Sequence, residues 1–163
     1  MKKIFILSLV ILLLGMGAKA QNISENALGL RIGGGEGFGP EITYQRLLFD
    51  NNRLEIDLGL RNNSDFDAVK LVGLYQWVWH LDGNFNWYAG VGGGIGSISD
   101  SRKKDHRHDD GVFVNVAGDI GIEYNFDIPL QLALDFRPEI ALVNYDVYNS
   151  FGPDFALSIR YRF

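Results

Sequence analysis

The 163-residue chain contains no cysteine, only four prolines and, after Leu14, no long apolar run. Each shortage excludes something. Without cysteine there is no disulfide to staple an exported domain, and no thiol to carry a lipid at a processed N-terminus. Without a stretch of about 20 apolar residues, the chain has no helix suited to crossing a bilayer. Basic residues are outnumbered as well, 15 Lys and Arg against 20 Asp and Glu. That balance argues against nucleic acid as a partner. What the chain has in quantity is glycine, 20 residues, and aromatics, 13%. With so little proline, this composition points to β structure joined by tight turns.

The first 20 residues read differently from the rest. Lys2 and Lys3 precede Ile4–Leu14, eleven residues that are apolar except for Ser8, and Ala18-Lys19-Ala20 follows. A basic start, a short apolar run and an A-x-A site predict a secretory signal peptide cleaved after Ala20. The expected organisation is therefore a leader at 1–20 and one domain at 21–163, a length that suits a single core. Lys2, Lys3 and Lys19 leave with the leader while every acidic residue stays. The mature domain then carries 12 basic against 20 acidic side chains, a net charge of −8.

Within that domain the hydrophobic period is two. In "LEIDLGLR", Leu54, Ile56, Leu58 and Leu60 oppose Glu55, Asp57, Gly59 and Arg61. In "PLQLALDFRPEIAL", Leu130, Leu132, Leu134, Phe136 and Ile140 oppose Gln131, Ala133, Asp135, Arg137 and Glu139. "VFVNVAGDIGIEYNF" and "FNWYAGVGGGIG" alternate likewise. "AVKLVGLYQWVWHL" is apolar nearly throughout, with Lys70, Gln76 and His80 on one parity. Weaker strands are expected near Ala27–Gly34 and Pro40–Leu48. The run "DFALSIRYRF" puts Phe155, Leu157, Ile159, Tyr161 and Phe163 against Ala156, Ser158, Arg160 and Arg162. Strict alternation marks strands with one apolar and one polar face. Eight are expected.

Their connections alternate in length. Phe49–Asn52, Leu81–Asn84 and Asp127–Pro129 are short; "GGGEGFG", "NNSDFD", "ISDSRKKDHRHDDG" and "NYDVYNSFGPD" are long. Short turns at one end, long loops at the other and an even strand count are the pattern of an outer-membrane barrel. Strands of about 9–11 residues would cross at a tilt. On this topology Phe49, Trp77, Trp79, Phe85, Trp87, Tyr124, Phe126, Tyr161 and Phe163 fall near the short-turn rim, as an interfacial girdle would. The competing arrangement is a soluble barrel with the apolar face turned inward, which eight strands leave little room to fill.

From Ala27 to Phe163 the sequence resembles the small eight-stranded outer-membrane β-barrel proteins of double-membraned bacteria. The most specific element is "FALSIRYRF". The resemblance implies an all-β, antiparallel up-and-down transmembrane barrel with both termini in the periplasm. It implies outer-membrane lipid as surroundings, and the barrel-assembly machinery as a partner that reads Phe155, Leu157, Ile159, Tyr161 and Phe163 as an insertion signal. It implies no cofactor. The family contains adhesins, structural anchors, narrow channels and a few lipid-modifying enzymes, so it does not choose an activity.

Parity places Arg31, Arg61, Arg137, Arg160 and Arg162 in the lumen, facing Glu55, Asp57, Asp119, Glu123, Asp135 and Glu139; Lys70 and Glu41 join them if their strands keep the same phase. So many charges in a narrow lumen must pair, since an isolated buried charge is very costly. The expectation is a salt-bridged plug; the sharper alternative is a gated ion path. Other motifs do not add up to chemistry. "RIGGGEGFG" and "GVGGGIG" lack G-x-G-x-x-G, and no Gly-Lys pair offers a phosphate loop. Gly90, Gly92, Gly94 and Gly96 share one strand face, which leaves room for bulky neighbours and for curvature. His106 and His108 could meet a metal with Asp105, Asp109 or Asp110, and Ser97, Ser99 and Ser101 lie nearby. No acid–His–Ser spacing is visible, and a mixed-charge loop is simply solvated. We therefore expect no catalytic or metal residues. The function expected is a non-enzymatic barrel serving envelope structure or surface binding to an extracellular ligand, with a channel or a lipid-modifying enzyme as alternatives.

Overall fold

The computed structural model describes residues 23–34, 39–62, 66–100, 111–143 and 151–163. The leader, the histidines of the charged loop and most of the long connections lie outside these ranges. Eight strands follow one another: β1 (Asn26–Gly34), β2 (Pro40–Phe49), β3 (Asn52–Asn62), β4 (Phe66–Asp82), β5 (Phe85–Asp100), β6 (Gly111–Asn125), β7 (Leu130–Val143) and β8 (Phe151–Arg162). Each pairs antiparallel with the next, and β1 closes on β8. Closure leaves no edge, so every strand finds a ladder partner on both sides, as lipid demands.

The short turns fall where the alternation breaks. Asp50-Asn51 joins β2 to β3, and Gly83-Asn84 joins β4 to β5. Gly83 takes a positive φ of 54°, a conformation that costs a glycine nothing. At the other end the strands run further than a simple crossing needs. β4 to β7 span 14 to 17 residues, against the 9–11 expected from bilayer thickness. Part of the supposed charged loop is therefore strand: Ile98 pairs with Gly111, and Asp100 with Phe66. Ser99 and Asp100 fall in the run expected as loop, but the ladder continues through them, with Ser99 opposite Asp67 and Asp100 opposite Phe66.

The two faces settle which way the sheet curls. Leu28, Leu30, Ile32, Ile42 and Leu60 point outward and are half exposed or nearly so, as are Ile120, Leu134, Leu157 and Ile159. Inside, Arg31, Arg53, Arg137, Arg160, Glu55 and Glu123 are among the largest side chains with almost no exposure, beside Tyr88, Leu74 and Gln76. A water-soluble barrel has the opposite arrangement. The short-turn rim carries a belt of touching rings. Trp79 stacks on Trp87 at 4.4 Å, Phe85 meets Tyr124 at 4.7 Å, Tyr124 meets Phe126 at 4.7 Å, and Tyr161 stacks on Phe163 at 6.2 Å.

Glycines make room inside, as their shared face suggested. A side chain at Gly96 would run into the Phe113 ring, and one at Gly90 would meet Gln76 Cγ at 2.8 Å. A further tight position lies on β6. A Cβ at Gly121 would stand 2.5 Å from Cζ and Oη of Tyr88, and 2.8 Å from the Leu134 carbonyl oxygen. We expect Gly121→Val to destabilise the folded barrel by about 1–3 kcal/mol through overpacking. Urea titration followed by tryptophan fluorescence measures it, and an unchanged midpoint would contradict this packing.

Candidate functional site: the charged lumen

Four arginines organise the interior. The guanidinium of Arg31, on β1, donates to Asp135 at 2.5 Å, Asp154 at 2.7 Å and Glu41 at 3.1 Å. Arg137, on β7, meets Glu41 at 2.7 Å, Asp57 at 2.8 Å, Glu139 at 3.0 Å and Asp154 at 3.4 Å. Glu41 and Asp154 are shared, so the two arginines form one cluster that ties β1, β2, β3, β7 and β8 together. Arg160 donates to Glu55 at 3.1 Å and to the Thr43 hydroxyl at 3.2 Å. Gln45 donates to the same Glu55 carboxylate. Arg53 donates to Glu123 and to Gln76 Oε1, both at 2.6 Å, and lies 4.7 Å from the centre of the Tyr88 ring. Near the long-loop end, Lys70 pairs with Glu139 at 2.6 Å.

Apolar layers interrupt these clusters. Val72, Leu74 and Ala117 pack together inside the wall. Nearer the short-turn end, Val78, Tyr88 and Ala133 form a second layer, and Ile23 packs against it from the segment before β1. The inner face thus carries guanidinium–carboxylate clusters with buried apolar groups packed between and below them. Among the described residues, no three His, Asp or Glu side chains form a group able to hold a metal.

The structure places Arg31, Glu55, Asp57, Asp119, Glu123, Asp135, Arg137, Glu139 and Arg160 on the inner face, together with Glu41 and Lys70. Arg162 sits elsewhere. It lies at the short-turn end and donates to the carbonyl oxygens of Phe126, at 2.5 Å, and Ile128, at 3.0 Å. Its parity is inward, but the lumen has ended at that height, and backbone carbonyls of the β6–β7 turn take its charge. The side chain of Arg61 falls outside the described ones. Arg53 and Asp154 escaped the sequence reading. Both continue the polar parity of their strands, Arg53 two residues before Glu55 and Asp154 two before Ala156; an earlier start would have found Arg53, whereas Asp154 opens the run "DFALSIRYRF" and was counted with the preceding loop.

No protein-family model matches the sequence, and no curated protein matches it. Solved structures do match the fold. The barrel superposes on Neisserial surface protein A with a TM-score of 0.60 at 14% identity, covering 85% of this chain and 94% of that one. For the N-terminal β-barrel domain of Pseudomonas aeruginosa OprF the values are 0.61, 12%, 86% and 100%. For Ail, the attachment invasion locus protein of Yersinia pestis, they are 0.57, 14%, 86% and 97%. The fold is that of the eight-stranded outer-membrane barrels. At such low identity the likeness carries architecture alone. Lumen chemistry must be argued from this chain's own residues.

Proposed function

We propose that the protein is a non-enzymatic, integral outer-membrane barrel that acts in envelope structure or surface binding through its long loops. The observation that carries this is the reversal of the faces: an apolar outer wall around a lumen crossed by ion pairs, with Val78, Tyr88 and Ala133 packed inside it and Ile23 against them. A wall of that kind has no place in water. A lumen so filled offers neither a substrate cleft nor an open path, which supports a plug over the channel or enzyme alternatives. Both termini are assigned to the periplasm, because the short turns face that compartment in such barrels. In this reading Met1–Ala20 is the export leader. Phe155, Leu157, Ile159, Tyr161 and Phe163 serve as the signal to the assembly machinery. Ail, one of the fold's neighbours, has been crystallised with the heparin analogue sucrose octasulfate. Here the segment from Ile98 to Gly111 carries four basic and four acidic residues, so a polyanion is not singled out as its ligand.

The test has three arms. The protein should fractionate with the outer membrane and migrate differently on a denaturing gel when unboiled. Protease added to intact cells should cut near Arg102, Lys103, Lys104 or Arg107 while the barrel stays whole. Purified protein in a planar bilayer should show no steady conductance. Recovery as soluble periplasmic protein would sink the location, and a stable ion-selective current would replace the plug by a channel.

A further inference from the structure

Away from the turns, the described outward side chains are uncharged, with one exception. Arg46 lies on β2 between Tyr44 and Leu48, shares the face of Ile42, and is exposed. Register fixes its height. Arg46 stands opposite Asn26 on β1 and Leu54 on β3, and Asn26 exchanges two backbone hydrogen bonds with Phe163. Arg46 is therefore level with the short-turn aromatic belt, where a long cationic side chain reaches from the wall to the lipid headgroups. Among the described residues, no carboxylate lies within ion-pair distance of its guanidinium. Its side-chain partner there is the neutral Asn26 Oδ1, at 3.5 Å from Nη1, and the Tyr44 hydroxyl donates to the same oxygen at 2.7 Å.

A guanidinium only donates, so the Asn26 amide must turn its oxygen toward Arg46, and Tyr44 holds it in that sense. One long bond to a neutral oxygen anchors the planar fork at one corner and leaves most of its N–H groups for another acceptor. Paired N–H groups of this kind match the oxygens of a phosphate. The other described charges exposed at this end are acids, Glu25, Asp50, Asp82 and Asp127, and Arg162 is engaged with the turn carbonyls. An anion arriving within the lipid thus meets Arg46 as the cation on this part of the wall. From Arg46 toward the long-loop end, Leu28, Leu30 and Ile42 expose hydrocarbon on the same two strands. We propose that Arg46, positioned by Asn26 and Tyr44, binds the phosphate diester of a membrane phospholipid whose acyl chains lie along Leu28, Leu30 and Ile42. The site rests on the reading that this wall faces lipid, and it names the lipid group held and the residue that holds it.

The experiment uses the purified mature barrel in dodecyl maltoside micelles, its folding checked by the gel shift of unboiled samples. It is mixed with dioleoylphosphatidylglycerol, with dioleoylglycerol, which has the same chains and no phosphate, or with inorganic phosphate alone. Native mass spectrometry then counts what the barrel keeps when the micelle is stripped away. The expected result is one phosphatidylglycerol retained severalfold more often than the phosphate-free lipid, and no retention of inorganic phosphate. Arg46→Gln, at an exposed position, should abolish that preference. Arg46→Lys, which keeps the charge and loses the fork, should retain part of it. Lys103→Gln, in the connection after β5, should change nothing. Equal retention of the two lipids would overturn the site, as would equal retention by the wild type and Arg46→Gln. Retention of inorganic phosphate would do so too, since the ion and not the lipid would then be recognised. A chain that stays folded and soluble without detergent would instead remove the lipid-facing wall, and this site with it.

Discussion

Arg137→Ala is expected to lower the stability of the folded barrel by about 3–5 kcal/mol, the loss typical of breaking one partner out of a buried ion pair. Arg137 is fully buried and lies within 3.4 Å of four carboxylates, on Glu41, Asp57, Glu139 and Asp154. Its removal takes away one charge and leaves four carboxylates to share the cations that remain. Arg31 can still serve Glu41 and Asp154, and Lys70 can still serve Glu139. Asp57 has no other ion pair among the described residues, so only the Thr43 hydroxyl is left to offset its desolvation. That reasoning yields a second-site result: Asp57→Asn in the Arg137→Ala background should recover part of the loss. The measurement is the urea midpoint of the purified barrel, read by tryptophan fluorescence and by the gel shift of unboiled samples. A loss under about 1 kcal/mol, the size of an exposed pair, would mean that water reaches this cluster and that the lumen is not plugged there.

Alternation alone locates most of this cluster, and the reason is geometric. Side chains two apart on a strand share a face, so Glu55 and Asp57, or Asp135 and Arg137, are inward together whatever the details of the barrel. Even "AVKLVGLYQWVWHL", which reads apolar on both faces, is phased by Lys70 and Gln76, and the structure turns Val72, Leu74 and Val78 inward with them. Pairing across the lumen is another matter. Which carboxylate meets Arg31 depends on register, on shear and on the glycines that let strands approach. None of these is a property of one strand. Arg31 and Asp135 are 104 residues apart and bond at 2.5 Å. Strand ends were less legible, because polar residues continue a ladder as readily as they begin a loop. Arg162 shows the same limit: its parity was right, but parity does not say where the lumen stops.

At the closing strand, Phe163→Asp is expected to cut the amount of assembled barrel in cells severalfold while leaving export and intrinsic stability nearly intact. The structure separates the two contributions. The backbone of Phe163 exchanges hydrogen bonds with Asn26, at 3.0 and 3.1 Å, which fastens β8 to the start of β1. A substitution keeps those bonds, whereas deletion of Phe163 removes them. The ring itself is exposed at the rim and stacks on Tyr161. A charged side chain near the interface costs only about 0–1 kcal/mol, too little to unfold a closed barrel. Refolding of Phe163→Asp into detergent should therefore approach the wild-type yield. If its assembly in cells falls all the same, the ring is needed by the machinery that inserts the strand and not by the finished barrel. Quantitative gel-shift assays at native expression, run beside refolding in vitro, give both numbers. Equal assembly in cells would remove Phe163 from the insertion signal, and equal failure in both assays would assign the aromatic to stability. The alternation from Phe155 to Tyr161 would be unaffected by either result, since it is the lipid-facing half of a strand that β1 and β7 hold in register on both sides.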